Sequence, residues 1–383
     1  MSGAPQCDDD AVVGVESGRE LLGVLQSSAQ RRNLPLNVTV ELTLACNIRC
    51  RHCYNFDRDV PRDAHCDEAE PELSLEETLD LLGELRAAGC LFLGLTGGEV
   101  LSSPKLFPVL DRARDLNMAV QLLTNGTLLR PGVASRLAAY PNLLGASVSL
   151  YGASAEVHDG ITQVRGSWRR TWAGIDRLRA LGVAIRLKFV VMRQNAHEIA
   201  AMRAQAEARG LPHVIDAIIT SRYDGSRTSL DTRVDEEQLR ALYRGPLRDL
   251  LPKGEFSVTE ESFSCNCARG NCAVSATGDV TPCVSVPWVA GNVRERKFID
   301  IWRYAPVFQR IRGLRIADYA SCAPCPDKGY CVRDRGAAVT ASGSYTGVDP
   351  FVCKSAALRR EIIEEGRSTS TGEHAAQPRP SGT

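Results

Sequence analysis

Between Asn37 and Thr220 the chain alternates short β-rich runs with helix-like segments, and this alternation restricts the possible folds more than any other feature. The runs are Val38–Leu44, Cys90–Leu95, Ala119–Leu123, Gly145–Leu150, Ala184–Val191 and Val214–Ile219. Helix-like stretches lie between them at Ser74–Ala88, Pro104–Leu116, Ser135–Ala139, Ser167–Leu181 and Ala196–Ala208. Ser74, with Glu77 three residues later, is a capping-box signal. Strand followed by helix, carried through six strands, implies parallel strands with right-handed crossovers. A closed barrel needs eight such units. The chain therefore predicts an α/β fold built on a partial (β/α)6 TIM-like barrel, open on one side.

Polar signals fall at the ends of these runs. After the first comes C-x3-C-x2-C, formed by Cys46, Cys50 and Cys53. Three thiolates so close together can converge on one metal centre, and no fourth sulfur lies nearby except Cys66, beyond a charged loop. A structural zinc site wants four ligands in closed coordination. A cubane iron–sulfur cluster on three thiolates keeps one iron open to another ligand. Thr96-Gly97-Gly98-Glu99 follows the second run, Thr124-Asn125-Gly126-Thr127 the third, and Ser149 closes the fourth. Loops at the carboxyl ends of barrel strands build active sites, so four motifs are predicted to share one rim. A zinc knuckle or a redox-sensing cluster would account for the cysteines but not for the other three.

Composition sets the surroundings. Lys+Arg and Asp+Glu balance at 46 each, so no global field points to nucleic acid or an anionic membrane. The amino-terminal stretch lacks a basic start followed by an apolar run, and no run of about 18 apolar residues exists. A cytoplasmic chain is expected, and in a reducing compartment its fourteen cysteines read as metal ligands rather than disulfides. Eight of them lie between Cys265 and Cys353. Cys90 reads as a buried small hydrophobe, and Cys7 and Cys66 as exposed loop thiols. The expected organisation is an arm at 1–36, the barrel at 37–220, and a linker with a helix at 221–262 carrying no chemistry of its own. A cysteine-rich domain follows at 263–365, with little apolar content for a core, and then a disordered tail at 366–383. The arm has no room for a separate peptide-binding module.

With the triad and Gly97-Gly98-Glu99 on one rim, the sequence resembles the radical S-adenosylmethionine (radical SAM) enzymes. The resemblance implies a [4Fe–4S] cluster on Cys46, Cys50 and Cys53 whose open iron binds S-adenosylmethionine. Reductive cleavage then gives a 5′-deoxyadenosyl radical that abstracts a substrate hydrogen. It also implies that Tyr54 touches the adenine, that Gly97, Gly98 and Glu99 bind the methionine portion, that Ser149 contacts the ribose, and that Asn125 is a polar cofactor contact. Ser149 and Asn125 serve equally well as strand-end or turn caps. Lys188 faces either the barrel interior or a helix, and Arg165 either the cofactor carboxylate or the surface.

The carboxyl-terminal cysteines resemble the SPASM extension of the same superfamily. Cys322-x2-Cys325-x5-Cys331 followed by Cys353 matches the four ligands of one auxiliary [4Fe–4S] cluster. Cys267, Cys272 and Cys283 match ligands of a second. A full SPASM domain places a further cysteine where this chain has Arg335. Cys265 is the expected replacement, the alternative being a three-cysteine cluster with an open iron. Two four-cysteine zinc sites would satisfy the spacing too.

The stretch Ser149-Leu150-Tyr151-Gly152-Ala153-Ser154 resembles SPASM enzymes that modify ribosomally made peptides. Val284 stands where sulfatase-maturing relatives carry Asp, which counts against that activity. The resemblance implies oxidative modification of a precursor peptide, with a cross-link as the first choice of product. Dehydrogenation of a small sugar, aminoglycoside or other metabolite is the alternative, and haem-side-chain enzymes share the design. Expected partners are the precursor peptide, reached through either a separate leader-binding protein or a leaderless contact, and a flavodoxin- or ferredoxin-type electron donor. The acid, base or radical quencher is not legible.

Overall fold

The computed structural model describes residues 18–55, 71–251 and 256–373. Cys7, Cys66 and the end of the tail lie outside the described residues. Six parallel strands follow the predicted order: β1 (Asn37–Glu41), β2 (Phe92–Thr96), β3 (Ala119–Thr124), β4 (Leu143–Leu150), β5 (Ile185–Val190) and β6 (His213–Asp216). Each pairs with its sequence neighbour, as short right-handed crossovers require. Buried and part-buried residues alternate along β3, so one face packs on the surrounding helices and the other lines the barrel interior. The capping box forms as predicted: Ser74 Oγ accepts from Glu77 N at 3.1 Å, and Ser74 N donates to Glu77 Oε2 at 2.7 Å.

The open side is where expectation and structure part. Three further strands, β7 (Asn271–Val274), β8 (Asp279–Thr281) and β9 (Gly291–Asn292), extend the sheet in the order β6-β5-β4-β3-β2-β1-β7-β8-β9. β7 runs parallel to β1, with Val38 opposite Cys272. The cysteine-rich region thus joins the sheet through β7, and its apolar residues add to the barrel's core. Phe298, Ile301, Trp302 and Phe308 are fully buried and belong to the same continuous core as Val38, Leu93 and Leu122. Trp302 Nε1 also donates to the Asn33 carbonyl at 2.7 Å, tying this region to the entry into β1.

Smaller differences have local causes. The helix expected at Ser135–Ala139 begins earlier, at Pro131–Ala138, because proline at the first helical position is pre-set for it. A helix at Ala155–Thr162, capped by Ser154, is added after β4. The arm contains a helix, Gly18–Arg32. The last helix, Pro350–Glu373, carries regular structure into the stretch expected to lack it. Its first two-thirds are anchored on the helix Glu236–Arg244 by Tyr243 Oη and Ser355 Oγ at 2.7 Å and by Arg244 and Glu365 at 2.8 Å. From such an anchor, further turns add one hydrogen bond per residue without a new nucleation cost. Cys90 is fully buried as expected, and burial pushes its thiol up to about 12. Among the described residues no helix is long and apolar enough to cross a membrane.

Candidate metal and cofactor site

The carboxyl ends of the barrel strands enclose a cavity of about 290 Å³. Cys46, Cys50 and Cys53 line it, as do Tyr54, Gly97, Gly98, Glu99, Asn125 and Ser149. Every residue singled out for the triad and its cofactor thus meets at one rim. Lys188 also lines the cavity, which resolves its two readings, and its Nζ lies 4.0 Å from Asp216 at the end of β6. Arg165 is exposed and takes no part in the lining. Among the described residues no three His, Cys, Asp or Glu side chains are drawn together tightly enough for a single metal ion.

Several of these residues also hold the rim together. The glycines bring the Gly97-Gly98-Glu99 turn against the cysteine loop. A Cβ at Gly97, whose φ is +142°, would stand 2.3 Å from Thr43 O, and one at Gly98 2.3 Å from Ala45 O. Backbone bonds close this contact: Gly98 N to Thr43 O at 2.7 Å and Glu99 N to Ala45 O at 2.8 Å. Glu99 is 1% exposed. Its Oε1 accepts from Thr124 Oγ1 at 2.5 Å and Leu101 N at 3.0 Å, its Oε2 from Asn125 N at 2.7 Å. Burial raises its pKa against the pull of those three donors. One acceptor position on Oε2 stays open, since a carboxylate offers about four. Asn125 is mainly a strap: Nδ2 donates to Asn47 Oδ1 at 3.0 Å, and Oδ1 accepts from Thr127 N and Oγ1. Asn47 Nδ2 donates in turn to Thr127 Oγ1 at 2.7 Å. The loops after β1, β2 and β3 are one hydrogen-bonded unit.

The stretch expected to carry no chemistry supplies two residues of the site. Arg222 is 4% exposed and donates to the Cys53 carbonyl at 3.2 Å and the Arg51 carbonyl at 3.0 Å, fixing the triad's backbone. Tyr223 packs edge-on against Tyr54 with ring centroids 5.4 Å apart and donates to the Val284 carbonyl. An arginine in a polar loop gave no sequence signal for this clamp. His52 packs edge-on against Tyr151 at 4.6 Å. Burial, then the charges of Lys188 and Arg222, lower its pKa to about 3, so the imidazole is neutral. From the cysteine-rich region Val284, Ser285 and Asp334 reach the same cavity.

Two cysteine groups form beyond the barrel. Cys267 is a close side-chain neighbour of both Cys265 and Cys283. Cys272, on β7, is buried in the core within electrostatic reach of Cys283, and burial raises its thiol. The Cys353 thiol is raised first by partial burial and then by Cys331, Cys322 and Cys325, which surround it. Arg335, in the place of the missing cysteine, is buried at the start of the helix Arg335–Ser342. If Cys265 completes the first group, Cys265→Ala should cost about four irons per chain, measured by iron and sulfide analysis. Unchanged iron would favour the three-cysteine alternative.

The residues present fit an iron–sulfur cluster and its S-adenosylmethionine. Buried polar atoms without a partner, His52 Nδ1 and Asn55 Oδ1, sit on residues lining the cavity, and Ser264 Oγ and Asn266 Oδ1 flank Cys265 and Cys267. Such atoms cost about 1–3 kcal/mol each when left unmade, so bound groups are their natural partners. A partial β/α barrel with an open thiolate triad at its carboxyl rim and cysteine groups packed on its open edge defines an iron–sulfur enzyme class. The chain belongs to the radical SAM superfamily: that family's model matches residues 40–206, and an iron–sulfur cluster-binding SPASM domain matches 265–326. It is similar to the AdoMet-dependent heme synthase of Methanosarcina barkeri, 31% identical over 83% of this chain and 96% of that one. The mycofactocin maturase MftC of Mycobacterium ulcerans is 29% identical over 82% and 85%. The fold matches Streptococcus suis SuiB bound to its precursor peptide SuiA, with TM-score 0.64 and 16% identity over 91% of this chain and 84% of that one.

Proposed function

We propose that this chain is a cytoplasmic peptide maturase that oxidises a side chain or α-carbon of a ribosomally made precursor and closes a cross-link. The observation that carries the reading is the shared cavity, where the triad's rim meets Val284, Ser285 and Asp334 of the SPASM region. Loaded with a [4Fe–4S] cluster and S-adenosylmethionine, the site supplies a carbon radical that takes a substrate hydrogen. Cys46, Cys50 and Cys53 hold the cluster, and Arg222 and Asn125 hold their loop. Glu99 offers its open carboxylate position to the ammonium, Tyr54 its ring to the adenine and Ser149 its hydroxyl to the ribose. The Lys188–Asp216 pair gives the far wall a charge partner for a polar substrate group. A separate leader-binding protein and a flavodoxin- or ferredoxin-type donor complete the system.

The similarity to the maturase MftC supports a peptide substrate. Haem-side-chain chemistry is the second reading, on the 31% identity to the heme synthase. The dehydrogenation of a sugar has no support among the relatives described.

Given S-adenosylmethionine and dithionite, the reconstituted chain should form 5′-deoxyadenosine. A short peptide encoded beside it should lose two hydrogens, read by mass spectrometry. An iron-loaded chain forming no deoxyadenosine would sink the enzyme reading. Turnover of a tetrapyrrole with the peptide untouched would replace the substrate.

A further inference from the structure

Arg335 stands where a related chain would place a cluster cysteine, yet it is 5% exposed rather than turned out to solvent. A buried guanidinium is costly unless an anion or good acceptors face it. Among the described residues no carboxylate forms an ion pair with it; its partners are carbonyls and one ring. Nε donates to Arg333 O at 3.1 Å, and Nη1 to Tyr345 O at 3.2 Å and Gly347 O at 3.3 Å. The guanidinium carbon lies 5.0 Å from the centre of the Tyr319 ring.

Following those partners outward leads to both cysteine groups. On one side Arg333, held at a left-handed φ of 49°, turns its own N–H back to Cys331 Sγ at 3.3 Å. That conformation is uncommon for a residue with a side chain. On the other side the Tyr345 hydroxyl lies 2.9 Å from Cys265 Sγ. A sulfur of each group is thus joined through Arg335 in one hydrogen-bonded chain. The neighbouring Gly336 pins this turn to the Cys283 loop, because a Cβ there would stand 2.3 Å from Ser285 Cβ and 2.5 Å from Ser285 O.

We propose that Arg335 is a positioning residue shared by the two auxiliary sites, a fixed buried cation that raises the reduction potential of both clusters. The physical reason is direct. Reduction adds a negative charge to a cluster already carrying four thiolates, and a fixed cation beside it stabilises the reduced form more than the oxidised one. Net charge and hydrogen bonds to sulfur set such potentials. With Cys265 keeping the number of thiolates at four, the cation at position 335 is what acts in this direction. Both sites become better acceptors for the electron that an oxidative modification leaves behind.

The inference rests on reading the eight carboxyl-terminal cysteines as two iron–sulfur sites. Its test is a redox titration of the reconstituted full chain followed by electron paramagnetic resonance, comparing the parent with Arg335→Gln and Arg335→Lys. Arg335→Gln should shift both auxiliary potentials downward while the triad's potential stays in place; Arg335→Lys, which keeps the charge, should stay near the parent. Unmoved auxiliary potentials in the Gln variant, or an equal shift of all three clusters, would overturn the role. If the Gln variant sheds auxiliary iron, the Lys variant decides: parent-like potentials support the charge, lowered ones overturn it. A parent chain holding only about four irons instead of about twelve overturns the two-site reading and the role of Arg335 together. A parent with about twelve irons whose potentials ignore Arg335 overturns that role alone.

Discussion

Gly98→Ala should strip the triad of its iron while leaving the auxiliary iron in place. The added methyl would meet Ala45 O at 2.3 Å and Leu44 O at 2.5 Å. Both are backbone atoms, so no side chain can swing aside to relieve the contact. The two turns are also fastened there by Gly98 N to Thr43 O and Glu99 N to Ala45 O. Relief requires moving Thr43–Ala45, the residues directly before Cys46. Overpacking of this kind costs about 1–3 kcal/mol, and that strain falls on the backbone that aims the first thiolate. A misplacement of about 1 Å at reacting groups can cost about 100-fold in rate. The expected result is about four irons fewer per chain and deoxyadenosine formation reduced about 100-fold or more, read by iron analysis and product quantification. A Gly98→Ala chain with full iron and parent-like cleavage would show that the turn does not aim the cysteine loop.

The same contact shows what the sequence reveals and what it hides. The six parallel strands were legible because period and punctuation are local, and the triad because its spacing within one loop is chemistry in itself. That Gly97, Gly98 and Glu99 belong to the rim was legible from their place after β2. Their contact with the cysteine loop was not, because it depends on Thr43 and Ala45 approaching from another loop. Asn125 is a parallel case: its partner Asn47 lies 78 positions away, and nothing local distinguishes a strap from a ligand contact. Arg222 clamps the triad backbone from across the fold and reads in sequence as an ordinary loop cation. β7 escaped for a related reason. Its four residues, buried in three of four positions, show no alternation, and pairing with β1 on one side and β8 on the other makes them a strand. That pairing also explains where the region's apolar residues go: Phe298, Trp302 and Phe308 bury themselves against the barrel.

A buried ion pair helps to join the barrel to the carboxyl-terminal helix, and Asp349→Ala should undo it with the largest loss of stability of these substitutions. Arg233 and Asp349 have side chains 14% and 2% exposed. Their contact is two-pronged, with Asp349 Oδ1 accepting from Nη1 at 3.1 Å and Oδ2 from Nη2 at 2.6 Å. Oδ1 also accepts from Phe351 N at 2.8 Å, in the first turn of the helix that carries Cys353. Arg233 Nε is bonded to Ile219 O at 2.9 Å, so the cation stays fixed when the carboxylate is removed. A buried charge left without its partner costs about 3–5 kcal/mol, a large part of the roughly 5–15 kcal/mol that holds a domain folded. The loss should be uneven. The helix start and Cys353 loosen first, so the auxiliary site of Cys322, Cys325 and Cys331 should shed iron before the triad does. Asp349→Asn keeps the shape and the acceptor for Phe351 N, so it should retain more of both. Thermal melting and iron content of the two variants test this ordering. If Asp349→Ala melts with the parent and holds all its iron, the helix must be secured by its contacts with Tyr243 and Arg244 instead, and the pair would be dispensable.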